Sequence, residues 1–182
     1  MKNILSCIDA LKSLVRTGWM QGGVSASIAE TLSSHMYEVA LLSFIISTKA
    51  SRAGLNVNIE KTVILSLLHD VPECLVGDLN YYAKAAIGKD RKKQIEFEAM
   101  REIAEDPQIN ALFSEYIEGK SLESKIVEAA DKLSTLRQAR RYSRLGYDFN
   151  EMEEGLRKEI LEIVDGLDSK LRDIIEEIME AS

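Results

Sequence analysis

Only two histidines occur in the 182 residues, His35 and His69, and Asp70 follows the second directly. Both rings fall within apolar stretches of helical pattern. Asp70 closes the run Val63-Ile64-Leu65-Ser66-Leu67-Leu68-His69, where an isolated carboxylate costs on the order of several kcal/mol to desolvate unless it is paired or bound to metal. Asp131 repeats that setting among Ile126, Val127, Ala129, Ala130 and Leu133. A single buried histidine is more often satisfied by a carbonyl or hydroxyl than by a metal. Two imidazoles and two carboxylates together can hold one divalent cation and leave positions open for water and substrate. By donor type Mn²⁺, Co²⁺ and Zn²⁺ all suit such a set. A cation of this kind polarises a phosphoryl oxygen and brings hydroxide within reach at neutral pH.

In order and separation, His35, His69-Asp70 and Asp131 form an H…HD…D pattern, and the chain resembles the HD-domain metal-dependent phosphohydrolases. Three segments narrow the likeness to the 5'-deoxynucleotidase branch. Leu67-Leu68-His69-Asp70-Val71-Pro72-Glu73-Cys74-Leu75-Val76-Gly77-Asp78 is similar to its HDxxExxxGD stretch, Glu128-Ala129-Ala130-Asp131-Lys132-Leu133 to its ADKL-type segment, and Arg16-Thr17-Gly18-Trp19 to its RTGW segment. The resemblance spans about Leu11 to Tyr142. It implies an all-helical domain, usually dimeric, in which His35, His69, Asp70 and Asp131 hold one divalent ion. It also implies removal of phosphate from 2'-deoxyribonucleoside 5'-monophosphates. No histidine follows His69, whereas the two-metal phosphodiesterases of the HD type draw on extra ones downstream, so a single ion is expected.

Glu73 lies three and four residues beyond Asp70 and His69, within reach of the same water on a helix, and is assigned as general acid/base. Asp78, after the Gly77 turn, is the second candidate: it could orient the water, protonate the leaving 5'-oxygen or hold the sugar. Arg16 would bind the phosphate through its fork of donors, and Trp19 would wall the sugar or base pocket, favouring the 2'-deoxy sugar. Each has an ordinary alternative: capping and solvation for Glu73 and Asp78, a surface salt bridge for Arg16, a core aromatic for Trp19. Two positions depart from the family. In part of the family arginine directly precedes the tryptophan, where this chain has Gly18, and many relatives carry glutamate before the first histidine, where this chain has Ser34; the nearest upstream acid is Glu30. The rival functions are an HD phosphohydrolase acting on a nucleoside triphosphate or alarmone, and a non-catalytic metal- or nucleotide-binding regulator.

The elements that must position these residues read as helices throughout. The pattern predicts helices from about Asn3 to Val15, Ile28 to Ala53, Asn58 through the buried, central run ending in the His-Asp pair, Lys89 to Glu105, Ser121 to Leu145, and Asn150 to Glu180. A glycine-containing loop, Gly18 to Ser25, separates the first two, and a less regular stretch follows Asp78. In the last helix Leu156, Ile160, Val164, Leu167, Leu171, Ile174 and Ile178 recur every three or four residues and line one face. That face packs on its own domain or joins a partner subunit. Pro72 lacks a backbone donor and predicts a kink that sets the angle of Glu73. One domain over 1–182, with its core at about 11–145, is the simplest organisation.

Composition narrows the classes further. Two prolines and ten glycines are too few turn formers for a sandwich or barrel. The net charge of -7 is concentrated between Glu151 and Ser182, with 11 acidic and 4 basic residues, and the remainder is balanced; nucleic acid is therefore not expected as a partner. The longest apolar runs, Val39–Ile46 and Val63–Leu68, fall short of the ~20 residues that span a bilayer. Cys7 and Cys74 form no CxxC pair or regular framework, which suits a reducing compartment, so the cytoplasm is expected. Arg137, Arg140, Arg141 and Arg144 form a stripe rotated away from Asp131, read as a salt-bridged or subunit-facing surface. No GxxxxGK, GxGxxG or GxSxG motif is present, which leaves P-loop, dinucleotide and serine-hydrolase chemistry unsupported.

Overall fold

The computed structural model describes residues 3–181, and among them every regular element is a helix. The chain divides into two compact units, one of residues 3–36 and Leu67–Glu118, the other of Tyr37–Ser66 and residues 119–181. Helices α3 (Leu32–Arg52) and α4 (Ile59–Leu68) contribute residues to both.

In the first unit α1 (Ile4–Ser13) starts at Asn3, whose Oδ1 accepts from the Ser6 N–H at 3.0 Å while the Asn3 N–H donates to Ser6 Oγ at 3.1 Å. This reciprocal cap satisfies two of the donors a helix start leaves open. The predicted glycine loop contains a short helix, α2 (Thr17–Gln21). An isolated antiparallel bridge pairs Val15 with Thr31: the Arg16 N–H donates to Glu30 O and the Leu32 N–H to Leu14 O, both at 2.9 Å. The expected helix start at Ile28 moves to Leu32, because the Ile28 and Ala29 N–H groups close a turn on Ser25 O and Thr31 is used in this bridge. After α4 come α5 (Glu73–Val76), α6 (Tyr81–Ile87), α7 (Lys89–Ile103) and α8 (Pro107–Glu118). α6 lies in the stretch read as irregular and is capped by Asn80, which accepts from the Ala83 N–H.

Three expectations need correction here. Cys7 on α1 and Cys74 on α5 are disulfide-bonded, with Cα atoms 5.3 Å apart; a sequence separation of 67 hid the pair, since spacing reports only local frameworks. The His-Asp pair is not inside a helix, because α4 ends at Leu68. α4 is also less buried than its composition suggested: Leu65 and Leu68 are buried, but Leu67 is 49% exposed.

In the second unit α9 (Leu122–Arg144) carries the core residues Ile126, Val127, Leu133 and Leu136. Ser121 caps it, and Glu123 in its first turn accepts from the Asn58 N–H at 2.9 Å and pairs with Lys61 at 3.3 Å, fixing the start of α4. The predicted last helix is broken into α10 (Asn150–Val164) and α11 (Ser169–Glu180). Gly166, at φ +82°, takes a left-handed conformation that ends a helix, and Asp168 restarts it by accepting from the Lys170 N–H. The break changes the phase of the apolar stripe. Leu156, Ile160, Val164 and Leu171 are buried as expected, but Ile175 and Met179 take the buried positions that Ile174 and Ile178 were given. α10 packs on α9, and Arg140 of the arginine stripe donates to Met179 O at 2.9 Å and lies 3.8 Å from Glu153, so the acidic segment and the stripe meet.

Candidate metal and phosphate site

His35 comes from the first turn of α3 and His69 from the residue after α4. Their ring centroids are 5.5 Å apart and both rings are buried. Both Nε2 atoms turn to the same oxygen, Asp70 Oδ2, at 3.6 Å from His35 and 3.2 Å from His69. Tyr116 of α8 packs edge-on against His69. Two imidazoles that meet one carboxylate oxygen are a donor set for a divalent cation of the first transition row.

Glu73 opens α5, directly after Pro72, whose φ of -58° suits the start of a helix and whose missing N–H is needed by no partner there. The Glu73 N–H donates to Asp70 O at 3.0 Å, so one tight turn sets the spacing between the two carboxyl groups. Its side chain is buried, and Oε2 meets no hydrogen-bond partner among the described residues. Burial first, then the charges of Asp70 and Asp78, push the Glu73 carboxyl well above the usual carboxylate range, against a smaller opposing pull from Lys84 and Arg16. A buried carboxyl oxygen without a partner among the described residues, on a side chain that feels the charge of Asp70, fits a site that takes up a cation and its water.

Asp78 is engaged differently. Its Oδ2 accepts from the Thr17 N–H at 2.6 Å and from Thr17 Oγ1 at 2.7 Å, its backbone carbonyl accepts from the same hydroxyl, and Lys84 Nζ lies 3.6 Å from Oδ1. This clamps the Arg16–Trp19 segment to the segment after Gly77. Arg16 reaches back to the histidines: Nη1 donates to His35 Nδ1 at 3.1 Å and lies 3.6 Å from Glu30 Oε2. Trp19 is buried, its Nε1–H donates to Glu30 Oε2 at 3.0 Å, and the Arg16 guanidinium sits over its ring at 6.0 Å. On α7, Lys92 donates to the buried Glu96. Burial lowers the Lys92 value, but the charge and hydrogen bond of Glu96 together raise it; on Glu96 burial outweighs Lys92 and lifts the carboxyl.

Asp131 lies in the second unit, on α9, partly exposed, with Lys132 Nζ 3.7 Å from its Oδ2 and the Thr135 hydroxyl bonded to its carbonyl. Within the first unit the structure brings together His35, His69, Asp70, Glu73, Asp78, Arg16 and Trp19.

Comparison with known proteins matches residues 8–168 to the HD domain family. The chain belongs to the HD-domain family. Among curated proteins, 5'-deoxynucleotidase HDDC2 of Homo sapiens is 34% identical over 148 residues, covering 78% of this chain and 67% of its own. The enzyme of the same name from Dictyostelium discoideum is 33% identical over 142 residues, covering 74% and 73%. 5'-Deoxynucleotidase hdd1 of Schizosaccharomyces pombe is 28% identical over 150 residues, covering 77% and 71%. A conserved hypothetical protein from Pyrococcus furiosus has a solved structure that superposes with a TM-score of 0.84 at 26% identity, covering 97% of this chain and 98% of that one.

The HD-domain residues were legible from sequence, but their supports were not. Glu30 is five positions from His35, so no local pattern ties it to the site; the Val15–Thr31 bridge brings it under Arg16 and Trp19. Thr17 was read only as part of a motif, and Lys84, Lys92 and Glu96 only as helix charges. The bare signal for Glu96 is an acidic residue on the apolar side of α7, in line with Met100 and Ile103.

Proposed function

We propose that this chain is a metal-dependent phosphohydrolase that releases phosphate from 2'-deoxyribonucleoside 5'-monophosphates. The carrying observation is the convergence of both histidine Nε2 atoms on Asp70 Oδ2 beside a buried Glu73 carboxyl; the names of the curated relatives give the substrate class. His35, His69 and Asp70 hold the cation, and Asp131 is the fourth ligand, supported by its place as the last D of the family pattern. A divalent cation, Mn²⁺, Co²⁺ or Zn²⁺ by donor type, supplies Lewis acidity and a hydroxide source at neutral pH.

The remaining work falls to the chain. Glu73, rigidly placed by the Asp70 turn, takes and returns the proton of the attacking water. Asp78 holds Thr17 and so fixes the backbone that carries Arg16; with its carboxylate already accepting two hydrogen bonds, it serves the reaction as a positioning group more readily than as a proton donor. Arg16 binds the phosphate, resting on Trp19 and Glu30, and Lys84 and Lys92 add positive charge to the same side. Trp19 limits the space beside the sugar through its fixed ring.

A homodimer accompanies this reading. Tyr37, Leu41, Phe44 and Ile45 are exposed apolar side chains spaced to share one face of α3, and we assign that face to a second copy of the chain. The cytoplasm, expected from unpaired cysteines, loses that support to the Cys7–Cys74 bond; among the described residues no helix is long and apolar enough to cross a membrane.

Variants separate the roles. Glu73→Gln keeps its metal on elemental analysis and loses turnover by about 10²-fold or more, the usual worth of a general acid/base. His69→Ala and Asp131→Ala lose metal and turnover together. Turnover at the wild-type rate in Glu73→Gln refutes the role given to Glu73. Tight nucleotide binding with no turnover in the metal-loaded wild type would favour the regulatory-protein reading instead.

A further inference from the structure

A nucleotide presents two ends to a protein, a charged phosphate and a flat apolar base. The residues placed so far serve the first. Trp19 has no free face for the second: its ring is 2% exposed, its Nε1–H is committed to Glu30, and the Arg16 guanidinium lies over it. Among the described residues of the first unit, the only exposed aromatic side chains are Tyr81 and Tyr82, at 77% and 78%. They open α6, shortly after the Gly77 turn, on a helix that buries none of its own residues. Single exposed apolar side chains are ordinary on a protein surface. This pair differs in being braced and in being tied to the site. The two rings meet edge-on with centroids 5.8 Å apart, which orients them while their exposure leaves ring faces open to solvent.

Asn80 caps α6, and Lys84 Nζ stands 3.6 Å from Asp78 Oδ1, while the other Asp78 oxygen accepts from the Thr17 N–H, next to Arg16. Tyr81 and Lys84 are three residues apart and share a face of α6, separated by about 4.5 Å along its axis. Tyr82, two positions from Lys84, falls on another face. The phosphate side of the substrate is thus bounded by Arg16, Thr17, Asp78 and Lys84, and the next group outward on the Lys84 face is the Tyr81 ring. We propose, resting on the deoxynucleotidase reading above, that Tyr81 is the stacking platform for the substrate's base, with Tyr82 as its brace. Every base has a π-face, so an aromatic platform accepts all of them with modest preference. Tyr81 therefore selects a nucleotide over a bare sugar phosphate rather than one base over another.

The test is steady-state phosphate release by the metal-loaded full chain from 2'-deoxyadenosine 5'-monophosphate, with 2-deoxyribose 5-phosphate, the same molecule without its base, as competitor. In the wild type the inhibition constant of the base-less compound is expected to exceed the KM of the nucleotide by about fivefold or more, the worth of one base stacked on an aromatic ring. Tyr81→Ala is expected to raise that KM by the same factor and to leave the inhibition constant where it was. Tyr81→Phe, which keeps the ring face, restores the wild-type KM. A disturbed α6 would instead weaken both compounds together through Lys84 and Asp78, and that result overturns the platform. An unchanged nucleotide KM in Tyr81→Ala overturns it as well; a shift in sedimentation alongside would assign the two tyrosines to a subunit contact. Each of these results leaves the hydrolase reading standing. Absence of phosphate release from every deoxyribonucleoside 5'-monophosphate by wild type shown to hold metal would overturn that reading and the platform with it.

Discussion

Two carboxylates three and eight positions beyond Asp70 have different fates because of what reaches them. Glu73 is buried and one of its oxygens meets no protein donor, whereas Asp78 is claimed by the backbone and hydroxyl of Thr17. The Thr17 hydroxyl donates to a charged acceptor in a half-buried place, so Thr17→Val, which keeps shape and removes only that donor, is expected to cost about 1–3 kcal/mol. Urea unfolding measures it; a midpoint equal to the wild type would mean that the clamp contributes nothing. The candidate ligands could be singled out from residue type, since imidazoles and carboxylates in apolar runs need a reason to be there. Their supports could not, because Thr17, Glu30 and Lys84 are unremarkable residue types whose roles arise from contacts made far along the chain.

Helix boundaries decide which of these contacts exist. The periodic signal located α1, α7, α9 and the end of α3 closely, since caps such as Asn3 and Ser121 are encoded next to the residues they serve. It failed where one residue changes the phase: Gly166 breaks the last helix, and burial moves from Ile174 and Ile178 to Ile175 and Met179. It also failed where a pairing is long-range, as with the Val15–Thr31 bridge and the Cys7–Cys74 bond. That bond ties α1 to α5, whose first residue is Glu73. Closing a loop of 67 residues removes unfolded-state freedom, so Cys7→Ser is expected to lower the stability of the oxidised protein by about 2–4 kcal/mol. Thermal denaturation with and without dithiothreitol tests it: the reductant should bring the wild type down to the variant and leave the variant unchanged. Equal stability of the wild type under both conditions would show that the bond does not constrain the chain in solution.

For the whole molecule, the all-helical reading from composition held, while the oligomeric state rests on an exposed face. If α3 joins two copies, Phe44→Glu places a carboxylate on a desolvated surface and is expected to shift the protein from dimer to monomer in sedimentation velocity. A wild type that sediments as a monomer would remove that assignment without touching the chemistry. The chemistry itself is tested most directly by phosphate release. Metal-stripped protein resupplied in turn with Mn²⁺, Co²⁺ and Zn²⁺ is assayed on matched deoxy- and ribonucleoside 5'-monophosphates. Release from the deoxy compounds, dependent on metal and well above release from the ribo compounds, is the predicted result. No release from either series by protein shown to hold metal would contradict it.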